Sequence, residues 1–191
     1  ELINNQMQQI EPFKPTFTLG ERVDGLQKQD DGSYVVVGSE GTQIHCQVVV
    51  IAGGLGCFEP RKPEMENLSN FEGKNVHYMV RNPEKFRDQR IVIAGGGDSA
   101  LDWTIFLSDV AKEVTLVHRS DNFRGAPDSA EKVFNLAKSG KINLLLSHNL
   151  QSLNGNGHLE SVLMTNKSKE EIVVQTDHFI PLYGLSPKLG P

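Results

Sequence analysis

Three small residues have the spacing of a phosphate-binding turn. Gly95, Gly97 and Ala100 fill the three places of the pattern G-x-G-x-x-G/A, after an apolar, partly β-branched run at residues 91–94. Gly95 would let the chain turn sharply out of a strand, Gly97 would leave room for a pyrophosphate, and Ala100 would keep strand and helix close. The unpaired amides that open the following helix would then bind the phosphates, although a strand-to-helix turn also carries glycine for backbone reasons alone.

A basic turn follows at the position where the second half of a dinucleotide would lie. His118 and Arg119 come after a second apolar strand at residues 114–117, and Arg124 lies one short turn later. In a dinucleotide-binding fold this position, about twenty residues after the glycines, meets the adenosine ribose. An acidic residue there accepts from a free 2′-hydroxyl, whereas cations bind a 2′-phosphate. The turn therefore favours NADP(H) over NAD(H), and an ordinary solvated basic turn is the alternative.

Alternating strands and helices position these residues. From residue 91 to residue 146 the chain alternates strand and helix, which predicts a Rossmann-like α/β fold with a parallel sheet, flanking helices and right-handed crossovers. A three-stranded antiparallel meander and a strand that returns to the parallel sheet are predicted next. The predicted elements are helices at 98–112 and 129–139, a third parallel strand at 142–146, meander strands at 150–153, 159–165 and 172–175, and the returning strand at 179–183.

The first part of the chain has a different pattern, with the end of a helix at residues 2–10 followed by hairpin signals. Strands are predicted at residues 17–19, 23–27, 34–37 and 44–52. Residues 47–52 are nearly all apolar, which predicts burial on both faces of a mixed sheet. Gly53 and Gly54 follow, and they either let a ligand approach the backbone or make a tight turn. The charged, proline-rich linker at 59–63 predicts a domain boundary near residue 72.

Composition excludes several functions. The 191 residues carry a formal net charge of −5, which argues against a nucleic-acid binder, and no apolar run is long enough to cross a bilayer. The two cysteines are too few for a disulfide framework, which favours a reduced, cytoplasmic setting. The six histidines are scattered, so no metal site is predicted.

Several ordered segments together resemble one family. The glycine turn, the run Val-Thr-Leu-Val-His-Arg-Ser-Asp-Asn-Phe-Arg and the final run Phe-Ile-Pro-Leu-Tyr-Gly-Leu-Ser-Pro-Lys-Leu-Gly-Pro are similar to the thioredoxin-reductase-like ferredoxin/flavodoxin NADP reductases. Residues 8–13 and 48–63 resemble the second half of that family's FAD-binding domain. The resemblance implies a partial FAD-binding domain and linker at 1–72, an NADP-binding domain at 73–180 and a return segment towards the FAD domain at 181–191.

The same resemblance implies an enzyme that passes electrons from NADPH through FAD to ferredoxin or flavodoxin, as a homodimer in its full-length form. It assigns no catalytic side chain, because the cofactors carry the chemistry. The implied cofactor contacts are Gly95, Gly96, Gly97, Asp98, Ser99 and Ala100 at the pyrophosphate, His118, Arg119 and Arg124 at the 2′-phosphate, and Gly53 and Gly54 at the flavin.

Departures from the family pattern leave alternatives open. Thioredoxin reductases carry Cys-x-x-Cys shortly before the NADPH glycine turn, whereas residues 76–86 contain no cysteine, and Cys57 has no partner three positions away. Ser120 replaces the second arginine of the family's His-Arg-Arg, which weakens the phosphate clamp by one charge. The family's FAD glycine loop and closing FAD segment are missing, so a fragment that binds FAD poorly and is inactive alone is expected. A disulfide reductase that uses an external thiol and a non-catalytic NADPH-binding module are the alternatives.

Overall fold

The computed structural model describes residues 2–53 and 57–188, and the chain divides into two compact units. One unit comprises Glu1–Cys57 with Pro187–Pro191, and the other comprises Phe58–Ser186. The chain passes between the units twice, at residues 57–58 and at residues 186–187, in segments that contain glycine and proline.

The first unit contains a helix and an antiparallel sheet. Helix α1 is Leu2–Ile10, and a short 3-10 helix at Glu11–Phe13 follows it because Pro12 removes a backbone donor. The strands are β1 (Val23–Lys28), β2 (Tyr34–Gly38) and β3 (Gln43–Cys46), in the order β1-β2-β3. The turns at Gly32 and Gly41 have φ of +86° and +88°, so the two hairpins predicted from these glycines are confirmed.

Two strand predictions in this unit are wrong. Residues 17–19 are not a strand, and the predicted strand at 44–52 ends at Cys46. Val48, Val50 and Ile51 are 74%, 82% and 84% exposed, the opposite of the predicted burial on two faces. An apolar run is buried only where neighbouring strands cover it, and no described strand pairs with residues 47–53.

The second unit is built on a four-stranded parallel sheet. Two short elements come first, β4 (Cys57–Pro60) and α2 (Leu68–Phe71). The α/β part then runs β5 (Arg90–Ala94), α3 (Asp98–Leu107), β6 (Glu113–His118), α4 (Pro127–Lys138) and β7 (Asn143–Leu146). The meander strands are β8 (Asn149–Asn154), β9 (Ser161–Thr165) and β10 (Glu171–Gln175), and they are followed by β11 (His178–Pro181). Strand β12 (Leu185–Lys188) comes next, and its last two residues belong to the first unit.

The strand order confirms the predicted fold class. The parallel sheet has the order β11-β5-β6-β7, the meander is an antiparallel sheet of order β10-β9-β8, and β12 pairs with β4. Strand β5 is buried on both faces, as its β-branched composition predicts. Ile91 and Ile93 pack in the core with α3 and α4, whereas Val92 and Ala94 pack in the core with the meander.

Helix α3 ends at Leu107, five residues before the predicted end at residue 112. The amides of Val110 and Ala111 both bond to the Leu107 carbonyl, which closes the helix in a tight turn. The amide of Lys112 then donates to the Gln89 carbonyl at 2.9 Å, and this bond aligns the chain with the start of β5. The early end of α3 therefore brings β6 into parallel pairing with β5.

Candidate functional site

A cleft of about 580 Å³ lies within the second unit, where the parallel strands end. A crevice at the carboxyl ends of parallel strands is the usual ligand position in open α/β sheets. Five segments line it: Gly95 and Gly96 after β5, Val117 to Arg119 at the end of β6 with Arg124 beyond it, His148 to Leu150 after β7, Leu182 and Tyr183 after β11, and Arg61 to Glu64.

Gly95 is fixed by close packing on both sides. Its φ is +156°, and a Cβ there would lie 2.7 Å from the Leu182 carbonyl oxygen and 2.8 Å from the Ala100 Cβ. Ala100 is fully buried, and Leu182 donates its amide to the Ala94 carbonyl at 2.7 Å. The glycine and the alanine therefore let β5, α3 and the end of β11 meet, as the motif predicts.

Gly96 and Gly97 differ in what surrounds them. A Cβ on Gly96 would lie 2.5 and 2.6 Å from the two ring nitrogens of His118, so Gly96 is needed for packing. A Cβ on Gly97 would meet nothing within 4 Å, so the space above this residue is open to a ligand. Gly97 does not itself line the cleft, but it directly follows Gly96, which does. The approach of a pyrophosphate to the backbone at Gly97 stays a prediction of the motif.

The start of α3 presents amides without acceptors. Among the described residues, no acceptor bonds to the amides of Gly96, Gly97, Asp98 and Ser99. Consecutive unpaired amides at a helix N-terminus form an anion-binding site. The Asp98 carboxylate does not cap them, because it accepts from the Ala126 amide at 2.6 Å.

Backbone hydrogen bonds connect the glycine turn to the basic turn. The Gly96 carbonyl accepts from the amides of Arg124 and Gly125 at 2.7 and 3.1 Å. Gly125 must be small as well, since a Cβ there would lie 2.7 Å from Leu101 Cδ1. The structure therefore brings together the two segments that the sequence assigned to the two ends of one nucleotide.

His118 lies beneath the glycine turn and is 8% exposed. Its Nε2 lies 3.1 Å from the Asn122 carbonyl, which can only accept, so Nε2 carries the proton, and the Ser120 hydroxyl lies 2.8 Å away. The ring stacks on Phe123 with centroids 5.5 Å apart. Burial lowers the pKa of His118, and the charges of Arg119 and Arg124 lower it further. His118 therefore holds the turn as a neutral ring.

Arg119 and Arg124 are the exposed cations of this turn. Neither has a carboxylate partner within the described part of the chain. Asp121, the acidic residue between them, is bound elsewhere: its carboxylate lies 2.5 Å from Lys167 and accepts from the Ser147 hydroxyl. The Lys167 contact, and then the Ser147 contact, lower the pKa of Asp121. Asp121 does not line the cleft, so the turn presents its cations to the cleft and keeps its carboxylate away.

Two walls of the cleft were missed from the sequence. Residues 59–63 were interpreted only as a linker, yet Lys62 lines the cleft and is held by Glu72 at 2.7 Å and by the Tyr78 ring at 5.6 Å from its centroid. The hydrogen bond to Lys62, and then that to Tyr78, lower the pKa of Glu72. His148 also lines the cleft, and its place just after a parallel strand is the signal that would have found it.

Some of the sequence candidates do not line this cleft, namely Gly97, Asp98, Ser99, Ala100 and Gly53. Gly53 is an exposed residue of the first unit, and Gly54 lies outside the described residues, as does the side chain of Cys57. Cys46 is a half-buried free thiol. Over residues 2–53 and 57–188, no group of histidine, cysteine and acidic residues could hold a metal, and no helix is long and apolar enough to cross a membrane.

Comparisons with known proteins agree with the fold and the motifs. A family model described as pyridine nucleotide-disulphide oxidoreductase matches residues 2–189. The chain is 56% identical over 193 residues to a protein of Christiangramia forsetii named ferredoxin–NADP reductase 1, and 52% identical over 191 residues to the ferredoxin–NADP reductase of Flavobacterium johnsoniae. The resemblance predicted from the motifs is confirmed.

These relatives are longer than the chain. The whole chain aligns with 55% of the Christiangramia protein and 54% of the Flavobacterium protein. Among solved structures, the chain resembles the thioredoxin reductase of Lactococcus lactis with a TM-score of 0.74 and 23% identity, covering 97% of this chain and 60% of that one. It also resembles the bacillithiol disulfide reductase of Staphylococcus aureus with a TM-score of 0.76 and 17% identity, covering 98% of this chain and 55% of that one. At these identities the likeness shows the fold alone. The chain belongs to the pyridine nucleotide-disulphide oxidoreductase family.

Proposed function

We propose that this chain is the NADP(H)-binding part, with a portion of the flavin domain, of a flavoprotein oxidoreductase that passes electrons from NADPH through FAD to ferredoxin or flavodoxin. The functional parts are a partial FAD domain and linker at 1–72, the NADP-binding domain at 73–180 and the return segment at 181–191. The full-length enzyme is a cytoplasmic homodimer. The names of the two curated relatives, both ferredoxin–NADP reductases, support NADP as the nucleotide and ferredoxin as the acceptor.

One observation carries the proposal for NADP(H). The cleft is lined by Gly95 and Gly96, which adjoin the unpaired amides of residues 96–99 and the open space at Gly97. It is also lined by Arg119 and Arg124, two cations without carboxylate partners among the described residues. A pyrophosphate fits the first group and a 2′-phosphate fits the second. The part of the site for the pyrophosphate is formed by Gly95, Gly96, Ser99 and Ala100. Asp98 holds the neighbouring loop through the Ala126 amide. When bound, the cofactor supplies a hydride.

We assign the 2′-phosphate to Arg119 and Arg124. Both are exposed at the cleft, whereas His118 is buried and bonded to the Asn122 carbonyl, so His118 positions the turn that carries them. Ser120 bonds to His118 in the place where the family has a second arginine, so the clamp contains two arginines. Two guanidinium groups can bind one phosphate through several charge-assisted hydrogen bonds.

The described residues do not by themselves form a flavin site. Gly53 is exposed, and no strand-turn-helix with a glycine motif is present in the described part of the first unit. We therefore assign no step of the reaction to a residue of this chain acting on FAD. An absorbance spectrum of the whole protein, together with ferredoxin reduction by NADPH, tests the proposal. Flavin bands and ferredoxin-dependent turnover are expected, whereas NADPH binding without flavin bands would favour the non-catalytic module.

Charge reversal tests the assignment of the arginines. Each lost charge-assisted hydrogen bond costs about 1.5–3 kcal/mol, so R119E/R124E should lower the affinity for NADPH by at least about tenfold. NADH lacks the 2′-phosphate, so its affinity should change by much less. Arg81→Glu is the matched control, because Arg81 is exposed but does not line the cleft. The affinities are measured by calorimetric titration. If the ratio of the NADPH affinity to the NADH affinity is the same in the wild type and in R119E/R124E, the assignment is refuted.

A further inference from the structure

The wall after β7 lies where the base of a bound nucleotide would be. In the sheet, β6 lies between β5 and β7, and neighbouring strands are about 4.8 Å apart. With the pyrophosphate at the end of β5 and the 2′-phosphate at Arg119 after β6, the ribose lies near β6. The base leaves the ribose at the carbon next to the phosphorylated one, so it extends beyond β6 towards His148 and Leu150, which line the cleft there.

His148 is held in one orientation by the chain around it. Ser147, just before it, is buried and has a left-handed φ of +58°, which turns the backbone out of β7. The His148 amide then donates to the His118 carbonyl at 3.1 Å. The ring Nδ1 lies 2.6 Å from the Leu146 carbonyl oxygen, which can only accept a hydrogen bond, so Nδ1 carries the proton.

This proton placement leaves an acceptor on the other side of the ring. In a neutral imidazole with Nδ1 protonated, Nε2 is a bare acceptor. No donor within the described part of the chain bonds to His148 Nε2. Adenine carries an exocyclic amino group that donates hydrogen bonds, whereas hypoxanthine carries a carbonyl oxygen at the same position, which only accepts.

We propose that His148 positions the adenine base of the bound nucleotide and selects for its amino group, which donates to Nε2, while Leu150 packs against the base. This role rests on the proposed nucleotide function and adds base selectivity to it. A base with a carbonyl at this position would put two acceptors together, and a site built around one hydrogen bond rejects such an analogue.

The test compares NADP⁺ with nicotinamide hypoxanthine dinucleotide phosphate, titrated calorimetrically into the full chain. Wild type should bind NADP⁺ at least about tenfold more tightly than the analogue. His148→Phe keeps an aromatic face but removes the acceptor, so the ratio of the two affinities should fall to within about twofold of one. His148→Gln, which can present either an oxygen or an amino group, should do the same if the phenylalanine variant does not fold. His158→Phe is the control, since His158 is exposed and outside the cleft, and it should leave the ratio unchanged.

The outcomes distinguish a failure of the role of His148 from a failure of the proposed nucleotide function. The role of His148 is overturned if the wild type binds NADP⁺ and the hypoxanthine analogue equally well, or if both His148 variants keep the wild-type ratio of these two affinities. Either result leaves the preference for NADP⁺ over NAD⁺ standing. A wild-type chain that binds neither nucleotide overturns the proposed function and this role with it. Loss of base selectivity with an intact NADP⁺ to NAD⁺ preference supports the role, because a merely structural histidine would change both.

Discussion

Replacing Gly96 by alanine should destabilise the fold, because its side chain would meet a buried ring. A Cβ on Gly96 would lie 2.5 and 2.6 Å from the nitrogens of His118, well inside van der Waals contact. His118 has little freedom to move away. It is 8% exposed, bonded to the Asn122 carbonyl at 3.1 Å and stacked on Phe123.

The magnitude follows from these contacts. Forcing an extra methyl group into a packed site costs about 1–3 kcal/mol. Displacing the ring also breaks the bond to Asn122, worth about 1 kcal/mol. Gly96→Ala should therefore lower the free energy of unfolding by about 2–4 kcal/mol. For a chain of this size, that corresponds to a fall in Tm of about 5–15 °C, measurable by circular dichroism.

The matched control is the neighbouring glycine. Gly97 has φ of −99°, which alanine adopts freely, and a Cβ there meets nothing within 4 Å. Gly97→Ala should leave the free energy of unfolding within about 0.5 kcal/mol, since its poorer helix capping and its stiffer unfolded chain offset each other. It should instead weaken NADPH binding by at least about tenfold, because the methyl group occupies the space left for the pyrophosphate.

A double-mutant cycle can refute this reasoning. Removing the ring in the His118→Ala background gives the added methyl group room, so Gly96→Ala should cost at least about 1 kcal/mol less there than in the wild type. Equal costs in the two backgrounds would show that the ring is not what the methyl group meets. A Gly97→Ala variant with lowered stability and normal NADPH affinity would contradict the contrast between the two glycines.

Two further predictions concern pH. Asp177 accepts from the Arg90 guanidinium at 2.6 Å and from the Arg90 amide at 2.8 Å, and Arg90 lowers the pKa of Asp177. The folded-state pKa lies below the unfolded value, so this stabilisation is present above about pH 4 and is lost as pH falls through the folded pKa. Asp177→Asn should cost about 1–2 kcal/mol of unfolding free energy at pH 7, and thermal melts should show the difference shrinking in acid; a constant difference would count against the pair. Burial lowers the pKa of His77 to about 4 and also lowers that of His178, 3.1 Å away. As pH falls, the two histidines take up protons in the unfolded chain at a higher pH than in the folded chain, so Tm should fall between pH 6.5 and pH 4. His77→Gln should make this fall in Tm smaller. A variant whose Tm falls as much as that of the wild type would refute the prediction.

The parts of the fold that were predictable are those with local signals. Strand β5 follows from a β-branched run that is buried on both faces, and the meander follows from short strands separated by asparagine, glycine and lysine turns. The glycine spacing likewise located the turn at Gly95, whose neighbours leave no space for a side chain. Each of these signals lies within about ten residues of the structure that it predicts.

The parts that were not predictable depend on distant residues. The apolar run at 47–52 has the composition of a buried strand, but composition cannot show whether a neighbour covers it. His118 was grouped with Arg119 and Arg124 at the 2′-phosphate from its place at the start of the basic turn. Its contacts beneath Gly96 are set by the packing of two loops, and these contacts keep the ring neutral.

The charge of the cleft arises from which charges are paired elsewhere. The chain carries a net charge of −5, yet its cleft is lined by one acidic residue, Glu64, and by four arginine and lysine residues. Lys62 is paired with Glu72, and Asp121 is paired with Lys167, a residue 46 positions away. These two ion pairs neutralise the positive charge of Lys62 and the negative charge of Asp121. The arginines after β6 therefore remain available to bind an anion. If the proposed NADP(H) site is right, moving the Asp121 carboxylate from Lys167 to the cleft would bring an acceptor near the ribose, so we expect cofactor preference to depend on that distant pair as well as on the arginines.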